Sequence, residues 1–192
     1  MKILCFTDTH GNKKAMNALK LAYDKEKPDI VLCAGDFTSF QQDTEEILDK
    51  IKQLSPVFLI HGNHEDEDSI AKLCKERGIH YAHKKVFHYK DCTIIGYGGG
   101  GFAQRDEEFE RFWKKVKIRE KGILITHQPP LGTQLDKANG DHVGNKSYLL
   151  ALKDPKLKLF ICGHMHENVQ VAQEINGKLV MNPGPGGAII DV

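Results

Sequence analysis

The chain of 192 residues is long enough for one domain with a sizeable core and short for two, so we expect a single domain over residues 1-192. Its 27 Lys and Arg residues nearly balance its 26 Asp and Glu residues, and the formal charge of +1 excludes a global positive field that would gather nucleic acid. No apolar run is long enough to span a bilayer. The start of the chain turns polar after Phe6, which favours a first strand over a signal peptide.

The cysteines number five, and no two are spaced as C-x-x-C, which argues against a structural zinc–thiolate site. Cys5, Cys33 and Cys162 lie inside apolar runs typical of strands, so we interpret the cysteines as buried, reduced thiols. Reduced thiols and the missing signal peptide together predict a cytoplasmic protein.

Short, continuous apolar runs punctuate the chain, as expected of strands that are buried on both faces. These runs cover residues 2–6, 29–35, 56–62, 122–126 and 157–163. Helical periodicity fills most gaps between them, over residues 14–26, 45–54 and 106–118. In the last of these segments, Phe109, Phe112, Trp113 and Val116 form one apolar stripe, which we interpret as the core-facing side of a helix.

Two segments break the alternation of strands and helices. Residues 85–98 read as a hairpin that turns near Lys90 and Asp91, and residues 168–182 read as a stronger hairpin with Asn176-Gly177 at its turn. The chain therefore begins with strand–helix units and then adds antiparallel strands. We predict an α/β sandwich whose sheets carry helices on their outer faces.

Asp, Asn or His follows each of the five predicted buried strands, at the point where the strand ends. Functional sites of open α/β sheets gather at the carboxyl ends of the strands, so we expect these side chains to converge. The candidate metal ligands are Asp8, His10, Asp36, Asn63, His127, His164 and His166.

The spacing within this set supports convergence. Asp8 and His10 are two residues apart, as are His164 and His166, and in extended backbone such pairs point to the same side. Gly35, Gly62 and Gly163 each precede a candidate ligand, where a strand must turn sharply or the backbone must pack closely.

The candidate set contains only nitrogen and oxygen ligands, which suit manganese, iron, zinc, cobalt or nickel better than magnesium or calcium. Seven ligands exceed the need of one catalytic ion and suit two ions that share one carboxylate. Two divalent ions, two aspartates and one hydroxide leave a charge of about +1, which suits a phosphate ester. Water bound to such ions is acidified to a pKa of about 7 and can attack phosphorus as hydroxide.

The ordered motifs D-x-H, G-D, G-N-H-E, a strand-terminal His and G-H-x-H resemble those of the calcineurin-like metallophosphoesterase superfamily. They run from Asp8 to His166, and "DTHG", "GDFT", "GNHE", "PPLG" and "GHMHE" are similar to the small, single-domain members. The "NPG" at residues 182–184 also resembles the C-terminal segment of the family. The resemblance implies a four-layer α/β/β/α sandwich of two mixed sheets flanked by helices, with a dinuclear centre at its edge.

The resemblance also assigns roles to individual residues. It implies that Asp8, His10 and His166 hold one metal, and that Asn63, His127 and His164 hold the other. Asp36 would bridge the two ions. His64 would contact the phosphate and protonate the leaving alkoxide, a role that suits imidazole because this side chain titrates near neutral pH. Manganese is favoured for both ions, with iron, zinc, nickel and cobalt as alternatives.

Other motifs carry weaker functional signals. The loop of residues 135–147 is polar and follows His127, and within it His142 is our candidate substrate contact. Residues 96–101 lack the spacing of a dinucleotide-binding loop and read as a flexible loop. We interpret His61 as a strand-end polar residue and Arg105 as the start of a surface helix. His80, His83 and His88 are interpreted as surface or packing residues.

We therefore expect a phosphoesterase that acts on a small phosphate ester, with a phosphodiester narrowly preferred over a phosphomonoester. A nuclease ranks lower, because the chain is short and nearly neutral. The third alternative is a catalytically weak interaction scaffold that binds metal, against which the complete ligand set and His64 argue. We expect no membrane association, and the motifs leave homo-oligomerisation open.

Overall fold

The computed structural model describes residues 1–192 and contains two mixed β-sheets with helices on their outer faces. The helices are α1 (Lys13–Glu26), α2 (Thr44–Lys52), α3 (Glu67–Arg77) and α4 (Glu107–Trp113), with 3₁₀ helices at Lys146–Lys153 and His166–Asn168. The strands are β1 (Lys2–Phe6), β2 (Ile30–Cys33), β3 (Val57–Leu59), β4 (His80–Tyr81), β5 (Lys85–Tyr89), β6 (Cys92–Tyr97), β7 (Lys121–Thr126), β8 (Lys137–Ala138), β9 (Asp141–His142), β10 (Leu157–Ile161), β11 (Ala172–Ile175), β12 (Lys178–Met181) and β13 (Ala188–Asp191).

The first sheet has the order β13-β1-β2-β3-β4, and the second has the order β11-β12-β10-β7-β6-β5. Strands β1, β2 and β3 are parallel, as are β6, β7, β10 and β12, whereas β13, β5 and β11 pair antiparallel. Both predicted hairpins are confirmed, as β5–β6 and β11–β12. The predicted four-layer α/β/β/α arrangement is confirmed as well.

Three apolar clusters hold the layers together, and strand alternation assigns each side chain to its cluster. In β1, Leu4 and Phe6 face the helices, while Ile3 and Cys5 face the second sheet. A third cluster lies between the second sheet, α4 and the 3₁₀ helix at Lys146–Lys153. Central strands are therefore apolar on both faces, which explains why they read as continuous apolar runs.

The structure differs from the sequence-based expectation at α4, which ends at Trp113 rather than extending to residue 118. The apolar stripe still packs inward, because Phe109 is fully buried and Phe112, Trp113 and Val116 pack against the same cluster. All five cysteines are buried and free, as expected. None of the helices combines the length and the apolar character needed to cross a membrane.

Candidate metal centre

The structure brings all of the predicted ligand residues to one edge of the sandwich, at the carboxyl ends of five strands. Asp8 and His10 follow β1, Asp36 follows β2, Asn63 follows β3, His127 follows β7, and His164 and His166 follow β10. The two sheets are tied together at this edge, because His127 Nδ1 donates to the carbonyl of Ala34 across a distance of 2.9 Å. Side chains from both sheets therefore share one site.

Asp8, His10 and His166 form a first cluster, in which the candidate ligand atoms lie within 4.8 Å of one another. His10 Nε2 lies 3.1 Å from His166 Nε2, and His166 Nε2 lies 3.8 Å from Asp8 Oδ1. Two imidazole nitrogens and a carboxylate that converge in this way match the donor set of a divalent transition-metal ion.

Asn63, His127 and His164 form a second cluster. Asn63 Oδ1 lies 3.0 Å from His127 Nε2 and 2.8 Å from His164 Nδ1. Because Nδ1 of His127 donates to a backbone carbonyl, a neutral His127 ring presents the lone pair of Nε2 to the site. The buried Nε2 of His164 has no hydrogen-bond partner. This donor set also fits a divalent ion.

The carboxylate of Asp36 lies between the two clusters. Asp36 Oδ2 is 3.3 Å from His127 Nε2 and 3.7 Å from His64 Nε2. A candidate ligand atom of Asp36 also lies within 4.8 Å of Asp8 in the first cluster and of His127 in the second, and Asp36 groups in the same way with His10 and His64. This is the placement that a carboxylate needs in order to bridge two ions.

Without bound metal, charges at the centre favour the metal-binding protonation states of Asp36 and His164 but oppose that of His127. Burial lowers the pKa of His127, but the hydrogen bond and charge of Asp36 outweigh burial and raise this pKa to about 9, so an ion that binds there must displace a proton. Burial raises the pKa of Asp36, but the hydrogen bond and charge of His127 outweigh burial and lower this pKa to about 2. Burial and the neighbouring charge of His127 lower the pKa of His164 to about 4. Asp36 is therefore an anion and His164 a neutral imidazole at pH 7.

The backbone is strained at four predicted ligands, which have positive φ: Asp8 (53°), His10 (45°), Asp36 (49°) and His164 (68°). The expectation that the two i, i+2 pairs lie in extended backbone is therefore wrong, because Asp8, His10 and His164 themselves adopt left-handed backbone. His164 consequently contacts the second cluster and His166 the first. Such strain persists where the surrounding structure enforces it, as at binding sites.

All three predicted glycines are required by close packing, and a Cβ atom on Gly35 would overlap the backbone nitrogen of Gly62. A Cβ atom on Gly163 would overlap Thr7 Oγ1 and Asp8 Oδ2, and one on Gly62 would overlap Asp36 Oδ1. Gly163 and Gly62 thus bring the backbone of one loop against the carboxylate of another.

Glu65 organises the loop that carries Asp36, a role that we did not predict. Its buried carboxylate accepts hydrogen bonds from the backbone N–H groups of Asp36, Thr38 and Gly62 at 2.8–2.9 Å, and from the Thr38 hydroxyl at 2.8 Å. Burial, followed by the charge of Asp36, raises the pKa of Glu65. Its position directly after His64 in "GNHE" was the available signal.

A family profile described as calcineurin-like phosphoesterase matches residues 1–168. The chain belongs to this family. Membership confirms the resemblance drawn from the motifs, implies divalent metal ions at the centre, and supports a metal-dependent phosphoester hydrolase. A search of curated proteins found no match.

Solved structures of similar fold include TT1561 of Thermus thermophilus, which is 13% identical in sequence and has a TM-score of 0.74. The alignment covers 95% of the present chain and 88% of TT1561. Phosphopantetheinyl hydrolase from Mycobacterium tuberculosis has 12% identity and a TM-score of 0.70, and the alignment covers 95% of the present chain and 88% of the hydrolase. A novel archaeal phosphodiesterase has 19% identity and a TM-score of 0.58, and the alignment covers 96% of the present chain and 84% of the phosphodiesterase. At these identities the likeness establishes the fold.

The remaining predicted residues of the phosphoesterase have defined surroundings. His64 lies beside the centre with 19% of its side chain exposed, and the exposed ring of Phe40 stacks on it. His142 Nδ1 lies 2.7 Å from Asp136 Oδ1, and its role as a substrate contact stays a prediction. Arg105 is exposed and paired with Glu110 at 3.0 Å.

The histidines outside the ligand set divide into buried and exposed ones. His61 is buried, and its Nδ1 lies 2.6 Å from the hydroxyl of Tyr81. His83 is also buried, whereas His80 and His88 are exposed. These positions agree with packing and surface roles.

Proposed function

We propose that the protein is a dinuclear, manganese-dependent phosphoesterase that hydrolyses a small phosphodiester. The observation that carries this proposal is the position of the Asp36 carboxylate, which lies 3.3 Å from His127 in the second cluster and within 4.8 Å of Asp8 in the first. One aspartate between two sets of nitrogen and oxygen donors suits two ions that act on one phosphoryl group.

When bound, two divalent ions supply a nucleophile from water at neutral pH and neutralise the charge of the phosphoryl oxygens. The residues of the chain position and protonate the reactants. In the hydrolysis, an O–P bond forms from water and the P–O bond to the leaving group breaks, so the leaving oxygen requires a proton. His64, whose Nε2 lies 3.7 Å from Asp36 Oδ2, is placed to donate that proton.

The solvent exposure of the candidate metal centre supports a diester as the substrate. His166 has 61% of its side chain exposed, and Asn63 is exposed as well. The centre therefore leaves space for a second ester arm above the ligands. Among the structural neighbours, one is described as a phosphodiesterase and another as a phosphopantetheinyl hydrolase, both of which are compatible with this choice.

The test is hydrolysis of bis-p-nitrophenyl phosphate and p-nitrophenyl phosphate with Mn²⁺, Ni²⁺, Zn²⁺, Mg²⁺ or chelator. We expect manganese-dependent release of p-nitrophenolate, with the diester cleaved faster than the monoester. Asp36→Asn should abolish turnover and lower the content of both metals, because the shared charge is lost. Asp43→Asn, at an exposed aspartate, is the matched control that should match the wild type.

Faster cleavage of the monoester would overturn the diester assignment and keep the phosphoesterase. Folded protein that binds metal but cleaves neither ester would overturn the enzyme and favour an interaction scaffold. Unchanged turnover of Asp36→Asn would contradict the bridging role.

A further inference from the structure

A cavity of about 510 Å³ opens directly beside the candidate metal centre. His164 and His166 form its border with the centre, and Phe102, Val143 and Ala138 provide apolar surface. A group attached to phosphorus at the metal centre can therefore extend into this cavity without leaving the protein surface.

Phe102 is the exposed aromatic side chain of this cavity. Its side chain is 68% exposed, and its ring centroid lies 4.8 Å from that of His164 at an interplanar angle of 60°. An exposed phenylalanine at this position leaves apolar area in water that a ligand can cover.

The backbone next to Phe102 is anchored although the preceding loop is glycine-rich. The carbonyl of Ala103 accepts hydrogen bonds from Gln128 Nε2 at 3.1 Å and from Asn145 Nδ2 at 3.0 Å. Gln128 directly follows the predicted ligand His127, so this contact ties the position of Phe102 to the centre.

Charges restrict what the cavity can accept. Its lining includes the carboxylates of Asp141 and Glu167 and contains no Lys or Arg. A second anionic group in the cavity would meet these carboxylates without a Lys or Arg partner, whereas a neutral group with N–H donors would be accepted.

We propose that this cavity binds the second ester arm of the substrate, and that this arm is a planar aromatic group without negative charge that packs against Phe102. A nucleobase and a simple aryl ring share this chemistry. The inference rests on the proposed function, because the cavity receives whatever is esterified to the phosphoryl group at the centre.

The test uses diesters that share the p-nitrophenolate leaving group and differ in the other arm. The arms are methyl, phenyl, 4-carboxyphenyl and 5′-thymidine. We expect the phenyl or thymidine ester to exceed the methyl ester in kcat/KM by about tenfold, in line with the strength of aromatic stacking. The carboxyphenyl ester should fall below the phenyl ester, and the relative rates of phenyl and thymidine esters distinguish an aryl arm from a nucleoside.

Phe102→Ala should reduce the aromatic-to-methyl ratio to about one, and Phe102→Tyr should restore it. Leu21→Ala, at an apolar residue that is 71% exposed elsewhere on the surface, is the matched control and should keep the wild-type ratio. A binding measurement provides a second readout: calorimetry with phenylphosphonate and methylphosphonate should show tighter phenylphosphonate binding that Phe102→Ala abolishes.

The outcomes separate the two proposals. Turnover of all four esters without a preference for aromatic arms, or equal binding of the two phosphonates, would overturn this inference and keep the phosphoesterase. Absence of turnover with every ester and every metal would overturn the proposed function, and the inference with it.

Discussion

The ring of Phe40 stacks on the ring of His64, with centroids 4.0 Å apart and planes inclined by 23°. Phe40 is 72% exposed and has a φ of 49°. The exposure of its apolar ring to solvent and its left-handed backbone are each unfavourable when Phe40 is considered alone. The stack holds the His64 ring where its Nε2 faces Asp36. We interpret Phe40 as a positioning residue for His64.

Phe40→Ala should therefore slow the hydrolysis of esters with alkyl leaving groups by about 2- to 10-fold, which corresponds to the 0.5–1.5 kcal/mol of an aromatic pair. The effect should be small for p-nitrophenolate, which leaves without protonation. The measurement is kcat across a series of leaving groups, with metal content determined in parallel. Phe40→Tyr keeps the stack and should retain the wild-type rates. Equal slowing across the whole series would contradict a role through His64.

Gly163→Ala should disrupt the centre, because the new methyl group would overlap Thr7 and the carboxylate of Asp8. We expect a loss of about 1–3 kcal/mol of folding stability, as in other overpacked cores, and a lower metal content. Urea denaturation and elemental analysis measure the two effects. Gly186→Ala is the matched control, since nothing lies within 4 Å of a Cβ atom there. A Gly163→Ala protein with wild-type metal content would contradict the close-packing role.

The sequence predicts the layers and the convergence of the candidate ligands for physical reasons. Strands buried on both faces leave continuous apolar runs, and the parallel strands of one edge deliver their following residues to one place. The same logic fails for local geometry. His164 and His166 reach different clusters because His164 adopts a φ of 68°, and spacing alone does not report a left-handed turn.

Residues that act through tertiary contacts are the ones that the sequence conceals. Phe40 and Phe102 are single phenylalanines in polar or glycine-rich segments, and each meets a histidine that is distant in the chain. No periodicity marks such a residue. Glu65 is different, because it lies within the "GNHE" motif and the sequence therefore marks its position. The sequence does not show which groups donate hydrogen bonds to Glu65.

Glu65→Gln should weaken both folding and the site. Each carboxylate oxygen of Glu65 accepts two hydrogen bonds, from donors on Thr38 for one oxygen and on Asp36 and Gly62 for the other. The glutamine NH₂ group would face donors at one of these positions, which should cost about 1–3 kcal/mol of folding stability. Urea midpoints at pH 7 and the metal content check this prediction. Glu120→Gln, at an exposed glutamate, should leave both at wild-type values.

His83 should make folding sensitive to acid. Its side chain is buried, its Nδ1 accepts a hydrogen bond from the N–H of Gly98 at 2.8 Å, and its Nε2 lies 3.3 Å from Glu67 Oε1 without hydrogen-bond alignment. Burial, followed by the charge of Lys84, lowers the pKa of His83 from 6.5 to about 4. The folded protein therefore keeps this ring neutral at pH values where the unfolded chain binds a proton.

Because the pKa of His83 is lower in the folded state, the contribution of the neutral His83 ring to folding stability is fully present above pH 6.5. This contribution is lost as the pH falls towards about 4. The loss attributable to His83 is at most about 1.4 kcal/mol for each pH unit in this window. This loss is measured from urea midpoints between pH 7.5 and pH 4 in the presence of a chelator. The range begins about one pH unit above the ordinary pKa of histidine. His83→Gln should flatten the slope, whereas His88→Gln, at an exposed ring, should keep the wild-type slope. A wild-type slope in His83→Gln would show that other groups carry the acid sensitivity.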